Sequence, residues 1–341
     1  MPMDPEAAAG PDTGIFGLEC ARAEAEVVLV PVPFDATTSG RPGTADGPDA
    51  ILRASRQVDL YDIQTGRPYS RGIHLLAEDP SIRRASRLAR SICGPLIEKG
   101  GAAAEDADRV REVDEICEQV YGGVREAVAL ILDEGRLPGV IGGDHSVALG
   151  CVAAVAERHP GVGILQVDAH ADLRPAFEGF RHSHASIMDN VLTRVDGVAR
   201  LVQVGVRDVS EGEVRAAQDD PRVTMHHEML WRGRIAAGES LTDLIDEALA
   251  SLPGEVYVSF DIDGLSPSLC PNTGTPVPGG FTFQECCLLI QALVESGRRI
   301  VGFDLCEVAP GPDSPGWDGN VGARVLYKLC GFALNSRSIA P

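Results

Sequence analysis

Seven short apolar runs rich in β-branched residues recur along the chain: Glu26–Val32, Pro138–Ile141, Gly163–Asp168, Arg200–Val206, Val223–Met225, Glu255–Asp261 and Ile300–Leu305. Stretches with helical periodicity lie between most of them, near Asp46–Ser55, Glu112–Asp133, Ser146–Arg158, Leu241–Leu252, Thr282–Ser296 and Val321–Leu334. Strands covered on both faces read as nearly continuous apolar runs, and a helical crossover forces the strands it joins to run parallel. The pattern predicts a three-layer α/β/α fold with a mainly parallel central sheet. With 341 residues and 44% hydrophobic content, the chain can bury one large core. Residues 14–341 read as one domain. The small, polar residues 1–13 read as a disordered tail, and residues 66–105 as irregular chain on the domain surface.

Ligands of open parallel sheets bind beyond the carboxyl ends of the strands, and the polar residues of interest collect there. Asp168, His170 and Asp172 follow the third run, Asp261 and Asp263 end the sixth, and His145 follows the second. Along extended chain, residues i, i+2 and i+4 project to one side, so Asp168, His170 and Asp172 can converge. A lone Asp-x-Asp is usually a solvated turn. Three such pieces, each directly after an apolar run, are not explained that way. Four aspartates and two histidines suit Mn²⁺ better than a thiolate-bound zinc, with Ni²⁺ or Co²⁺ tolerated, so two Mn²⁺ per chain are expected. Two such ions share a bridging water and deliver hydroxide near neutral pH, which points to hydrolysis.

Charge narrows the partners. Thirty basic against fifty acidic residues give a net charge of −20, which repels nucleic acid and anionic membranes and favours a small cationic substrate. Aromatic residues, at 5%, are too sparse for a base-stacking platform. Nine cysteines form an odd set without Cys-x-x-Cys spacing and read as thiols of a reducing cytosol, Cys286 and Cys287 as core fillers. The first residues lack the basic and apolar segments of a secretory signal, and no run approaches the ~20 residues that span a bilayer. A cytoplasmic location is expected.

The same residues carry a resemblance. Gly142-Gly-Asp-His-Ser146, Asp168-Ala-His-Ala-Asp172, Ser183-His-Ala-Ser186, Ser259-Phe-Asp-Ile-Asp-Gly264 and Gly274-Thr-Pro-Val-Pro-Gly-Gly280 are similar, in order and spacing, to the motifs of the ureohydrolases, the arginases and agmatinases. Pro33-Phe-Asp35, Arg41-Pro-Gly-Thr44 and Gly47-Pro48 resemble the agmatinase branch, and the likeness covers residues 26–334. It implies an arginase-like fold and a homo-oligomer, trimer or hexamer. It also implies a binuclear manganese cluster on His145, Asp168, His170, Asp172, Asp261 and Asp263, the set already found from spacing. The implied reaction is attack of a bridging metal hydroxide on a guanidinium carbon, releasing urea and an amine. Asp172 would also hydrogen-bond that hydroxide. His184 matches the family's mobile proton-transfer histidine. Glu307, in Gly302-Phe-Asp-Leu-Cys-Glu-Val-Ala-Pro310, matches the carboxylate that pairs with the substrate guanidinium.

Departures from the family pattern bear on substrate. Ser210, in Gly205-Val-Arg-Asp-Val-Ser210, stands where arginases place an aspartate for the α-ammonium. Arg174 stands where they place an asparagine for the α-carboxylate. Both disfavour L-arginine, and agmatine is the first expected substrate. An Arg174 facing the pocket would repel agmatine's ammonium, so guanidinobutyrate, guanidinopropionate, free guanidine and a formimino compound are the alternatives. Asn272 and Ser266 also depart from the family pattern but leave the ligand set intact. A one-metal zinc deacetylase of similar architecture would need adjacent catalytic histidines and a tyrosine beside a glycine run, which have no suitable match. A non-catalytic chain would be expected to have lost ligands. His182 reads as a solvated bystander and His226-His227 as a surface pair, while His74 and His159 have no supporting context.

Overall fold

The computed structural model describes residues 6–311 and 316–338. Eight strands form one sheet: β1 (Val27–Val32), β2 (Ile73–Leu75), β3 (Leu137–Gly142), β4 (Val162–Val167), β5 (Val198–Val206), β6 (Val223–His227), β7 (Glu255–Asp261) and β8 (Arg299–Cys306). Every pairing is parallel, and the order is β2-β1-β3-β8-β7-β4-β5-β6. Among the described residues ten α-helices accompany it: α1 (Gly47–Ser55), α2 (Pro80–Glu98), α3 (Ala107–Asp133), α4 (Ala148–Arg158), α5 (Ile187–Arg194), α6 (Glu211–Asp219), α7 (Glu228–Ala236), α8 (Leu241–Leu249), α9 (Phe283–Glu295) and α10 (Trp317–Ser336).

The strand period of two divides the core. Val27 and Leu29 of β1 pack toward α1, α8, α9 and α10, whereas Val28, Val30 and Val32 pack toward α2, α3 and α4. The three-layer α/β/α architecture predicted from the runs is the one observed. Register then sets up the chemistry. Val167 of β4 pairs with Phe260 of β7, Phe260 with Leu305 of β8, and Leu305 with Ile141 of β3. The carboxyl ends of the four central strands are therefore level, and the residues just beyond them meet.

Residues 66–105 are not irregular. They contain the edge strand β2 and the nineteen-residue α2, which buries Ala89, Cys93, Leu96 and Ile97 at helical spacing. Asp79 caps α2 by accepting the Ser81 amide at 2.8 Å, and Pro80 takes the first turn, where its missing N–H costs nothing. Residues 1–5 of the expected disordered tail lie outside the described residues. Further on, the Thr13 amide donates to the Gly10 carbonyl at 3.2 Å, and the Thr13 carbonyl accepts from Arg56 Nη2 at 3.0 Å, beside the end of α1. Among the described residues, no helix is long and apolar enough to cross a membrane.

Candidate active site

Each level strand end delivers part of one site. Beyond β3 the chain passes so close to Phe34 that a Cβ on Gly143 would overlap the Phe34 carbonyl, so glycine is required there. His145 opens the turn that follows, capped by Asp144, which accepts the Ser146 amide at 3.0 Å. Beyond β4, Ala169 and Ala171 are fully buried, while the alternating Asp168 and His170 face the site. Asp172 breaks the extended run with a left-handed φ of 55°. Asp261 ends β7 and accepts the Asp263 amide at 2.8 Å. Asp263 in turn accepts the Ala169 amide at 3.0 Å, tying the β7 end to the β4 end.

Imidazole and carboxylate oxygens close in two groups. His145 Nδ1 lies 3.0 Å from Asp168 Oδ2, 3.1 Å from Asp172 Oδ2 and 3.4 Å from Asp261 Oδ2. His170 Nδ1 lies 3.1 Å from Asp263 Oδ2 and 3.5 Å from Asp168 Oδ1. Asp168 offers one oxygen to each group. His145, Asp168 and Asp172 could hold one metal ion, and Asp168, His170 and Asp263 another, with Asp261 beside the first. His145 Nε2 is 2.8 Å from Ser259 Oγ, a contact that leaves Nδ1 facing the carboxylates.

The electrostatics fit a dication pair. Burial and the neighbouring Asp168 charge push Asp172 up to about 7, and burial with Asp263 and Asp168 pushes Asp261 well above the carboxylate range. Asp168 is buried as deeply, yet the His145 and His170 imidazoles hold it low. Buried carboxylates in mutual repulsion call for a cation between them. The oxygen-rich, two-imidazole donor set suits divalent ions such as manganese, nickel or cobalt.

Beside the carboxylates stand the two further residues singled out from sequence. His184 Nδ1 is 3.4 Å from Glu307 Oε1, and Nε2 is 2.9 Å from Ser39 Oγ. Burial alone would lower the His184 pKa, but Glu307, Asp144 and Asp172 outweigh it and raise it to about 9. Glu307 follows β8 with a φ of 65°. Its Oε1 accepts the His145 amide at 3.0 Å, while Oε2 is buried without a hydrogen-bond partner among the described residues.

A cavity of about 160 Å³ opens over this constellation. Its wall includes Arg174, which the sequence reading had flagged, and also Ser39, Phe177, Asp208, Glu213 and Thr275, which it had passed over. Glu213 left a signal, because Ser210-Glu-Gly-Glu213 is a capping box at the start of α6. Phe177 left none.

Two of the histidine assignments need correction. His182 is only 2% exposed, with Nε2 3.0 Å from Glu118 Oε1 and its ring edge-on to Tyr121. It anchors the His184 turn from behind and is no solvated bystander. His226 lies within β6, half-buried with its ring edge-on to Trp231, so it is only in part a surface residue. Neither residue lines the cavity.

The model of the arginase family matches residues 25–331. The chain is 33% identical over 293 residues to an N(1)-aminopropylagmatine ureohydrolase of Thermus thermophilus, covering 84% of each chain. It is 30% identical over 309 residues to a guanidinobutyrase of Pseudomonas aeruginosa, covering 89% of this chain and 85% of that one. Its fold matches the crystal structure of agmatine ureohydrolase of Thermoplasma volcanium with a TM-score of 0.70 and 25% identity, over 93% of both chains.

Proposed function

The chain belongs to the arginase family, and from that premise we propose that it is a metal-dependent amidinohydrolase, converting a linear guanidino compound and water to urea and an amine. The observation that carries this reading is the convergence of two His/Asp groups beneath one cavity that His184 lines, with Glu307 3.4 Å behind His184. His145, Asp168, His170, Asp172, Asp261 and Asp263 would hold two divalent ions, Mn²⁺ first and Ni²⁺ or Co²⁺ as alternatives. When bound, such a pair lowers the pKa of a water so that it attacks as hydroxide near neutral pH.

The remaining work falls to the chain's own groups. Glu307 directs its Oε2 at the guanidinium, fixing the reacting carbon through charge-assisted hydrogen bonds. Asp172 accepts a hydrogen bond from the attacking water. His184, held protonated by its acidic surroundings, carries a proton to the leaving amine. A cytoplasmic location fits nine cysteines that are all free. Homo-oligomeric assembly, as a trimer or hexamer, belongs to the same reading by family likeness.

Two expected results test it. His184→Ala lowers kcat roughly 10²-fold or more while the metal content stays at that of the parent protein, since the side chain moves a proton and does not ligate. Elemental analysis beside urea-release kinetics checks both halves, and unchanged turnover would remove His184 from the reaction. The second result concerns the head group. Ser210 Oγ donates to Glu213 at 2.6 Å and accepts the Glu213 amide at 3.3 Å as the cap of α6, and as a neutral hydroxyl it offers an α-ammonium no counter-charge. Losing the charged partner of the α-ammonium, at about 1.5–3 kcal/mol, makes L-arginine poorer by roughly 10- to 10²-fold than a guanidino compound without the amino-acid head. A panel of kcat/KM values on one metal-loaded preparation decides this, and L-arginine as the best substrate would overturn it.

A further inference from the structure

The far wall of the cavity carries a cation built for an anion. Arg174 lies two residues beyond Asp172 with its Nε 3.5 Å from Glu213 Oε2 and its Cζ 4.6 Å from the centre of the Phe177 ring. Both contacts fix the plane of the guanidinium. They engage its edge and its face, and among the described residues no hydrogen bond occupies the paired Nη atoms of this side chain, which lines the cavity. The backbone beneath is held as well. The Arg174 amide donates to the Ala185 carbonyl at 3.3 Å, Phe177 and Phe180 exchange amide hydrogen bonds at 3.0 and 2.9 Å, and the Glu178 carbonyl accepts the Ala102 amide at 2.8 Å.

The acidic residues nearby do not cancel this offer. Glu213 is 4% exposed, and its oxygens already accept the Leu173 amide at 3.2 Å and the Ser210 amide and hydroxyl at 3.0 and 2.6 Å. Asp208 is tied by its backbone to His170, on the side of the cavity where the His/Asp groups lie.

Resting on the amidinohydrolase reading above, we propose that Arg174 is a carboxylate clamp that determines specificity, and that the preferred substrate is an ω-guanidino carboxylic acid and not agmatine. The substrate then spans the cavity as a zwitterion, its guanidinium at Glu307 and its carboxylate in the planar fork of Arg174, a geometry that a guanidinium matches with two parallel hydrogen bonds. The order of preference expected from sequence, with agmatine first, is thereby reversed.

Mn²⁺-loaded protein is tested with 4-guanidinobutyrate, 3-guanidinopropionate and agmatine, as wild type, Arg174→Ala and Arg174→Lys. Wild type favours a guanidino acid in kcat/KM. Arg174→Ala raises KM for the acids roughly 10- to 100-fold with kcat little changed, because the lost contact binds substrate and transition state alike. Agmatine does not suffer in that variant, and Arg174→Lys, which keeps the charge but not the fork, restores only part of the affinity for the acids. Calorimetric binding of 4-guanidinobutyrate to the metal-free forms of the same three proteins, which cannot hydrolyse it, gives a readout that does not depend on turnover. Equal losses for acids and agmatine in Arg174→Ala, wild-type preference for agmatine, or undiminished binding of 4-guanidinobutyrate to the alanine variant would each overturn the clamp. No urea from any guanidino compound, with binding still dependent on Arg174, would instead overturn the reaction and leave the clamp standing.

Discussion

Asp168→Ala is expected to bind at most one metal ion per chain, against two in the parent, and to lose urea release by about 10³-fold or more. Asp168 is the residue that both groups share, one oxygen 3.0 Å from His145 Nδ1 and the other 3.5 Å from His170 Nδ1, so its removal damages both. An ion pair can lower the pKa of a water from ~15.7 to ~7. Near neutral pH that changes the hydroxide available by many powers of ten, and the weaker basicity of the acidified water returns only part of them. Asp168 also accepts the Gln166 amide nitrogen at 2.8 Å and the His170 backbone amide at 2.6 Å, so Asp168→Asn, which keeps its shape, serves as the folding control. Elemental analysis and urea release on both variants check the result. Two tightly held metals with parent turnover in either would refute the shared-ligand assignment.

The clustering of the His and Asp residues is legible in the sequence because it obeys a local rule. Asp168 and His170 alternate with two buried alanines, and Asp261 and Asp263 flank one turn. What the local rule could not give was the register. That the ends of β3, β8, β7 and β4 lie level follows from pairing between residues 45 to 164 positions apart, Phe260 with Leu305 and Ile141 with Leu305 being the extremes. Nor does alternation foresee the left-handed backbone at Asp172 and Glu307. The missed elements have identifiable causes. β2 has three residues, too few for periodicity to show. Helix α2 carries many arginines and an internal Pro95, which hide an apolar stripe of helical spacing. Helix α6 was legible from its capping box and was overlooked. His182 was misread because the partner that buries it, Glu118, lies sixty-four residues away on α3, beyond any motif window. Arg174 is legible as a departure from the family pattern, but its contacts with Phe177 and Glu213 exist only in the folded loop.

Glu307→Gln should cost about 10²- to 10³-fold in kcat/KM on the best guanidino substrate while leaving both metal ions in place. The structure gives Glu307 two separable duties. Oε1 accepts the His145 amide at 3.0 Å, a neutral hydrogen bond that a glutamine carbonyl reproduces, so the turn carrying His145 is kept. Oε2 is buried without a hydrogen-bond partner among the described residues, and a buried acceptor left alone costs free energy unless a ligand satisfies it. Glutamine turns that oxygen into an amide donor facing another donor, the guanidinium. Breaking a buried charge pair by removing one partner costs about 3–5 kcal/mol, which converts to between 10² and almost 10⁴. The lower part of that range applies because the metal-loaded site adds positive charge around the guanidinium in either protein. The positive φ of 65° at this residue is common to both side chains and drops out of the comparison. Steady-state kinetics with parallel metal analysis make the measurement. A Glu307→Gln enzyme within threefold of the parent would show that the guanidinium finds its counter-charge elsewhere, with Asp208 the next candidate in the cavity wall.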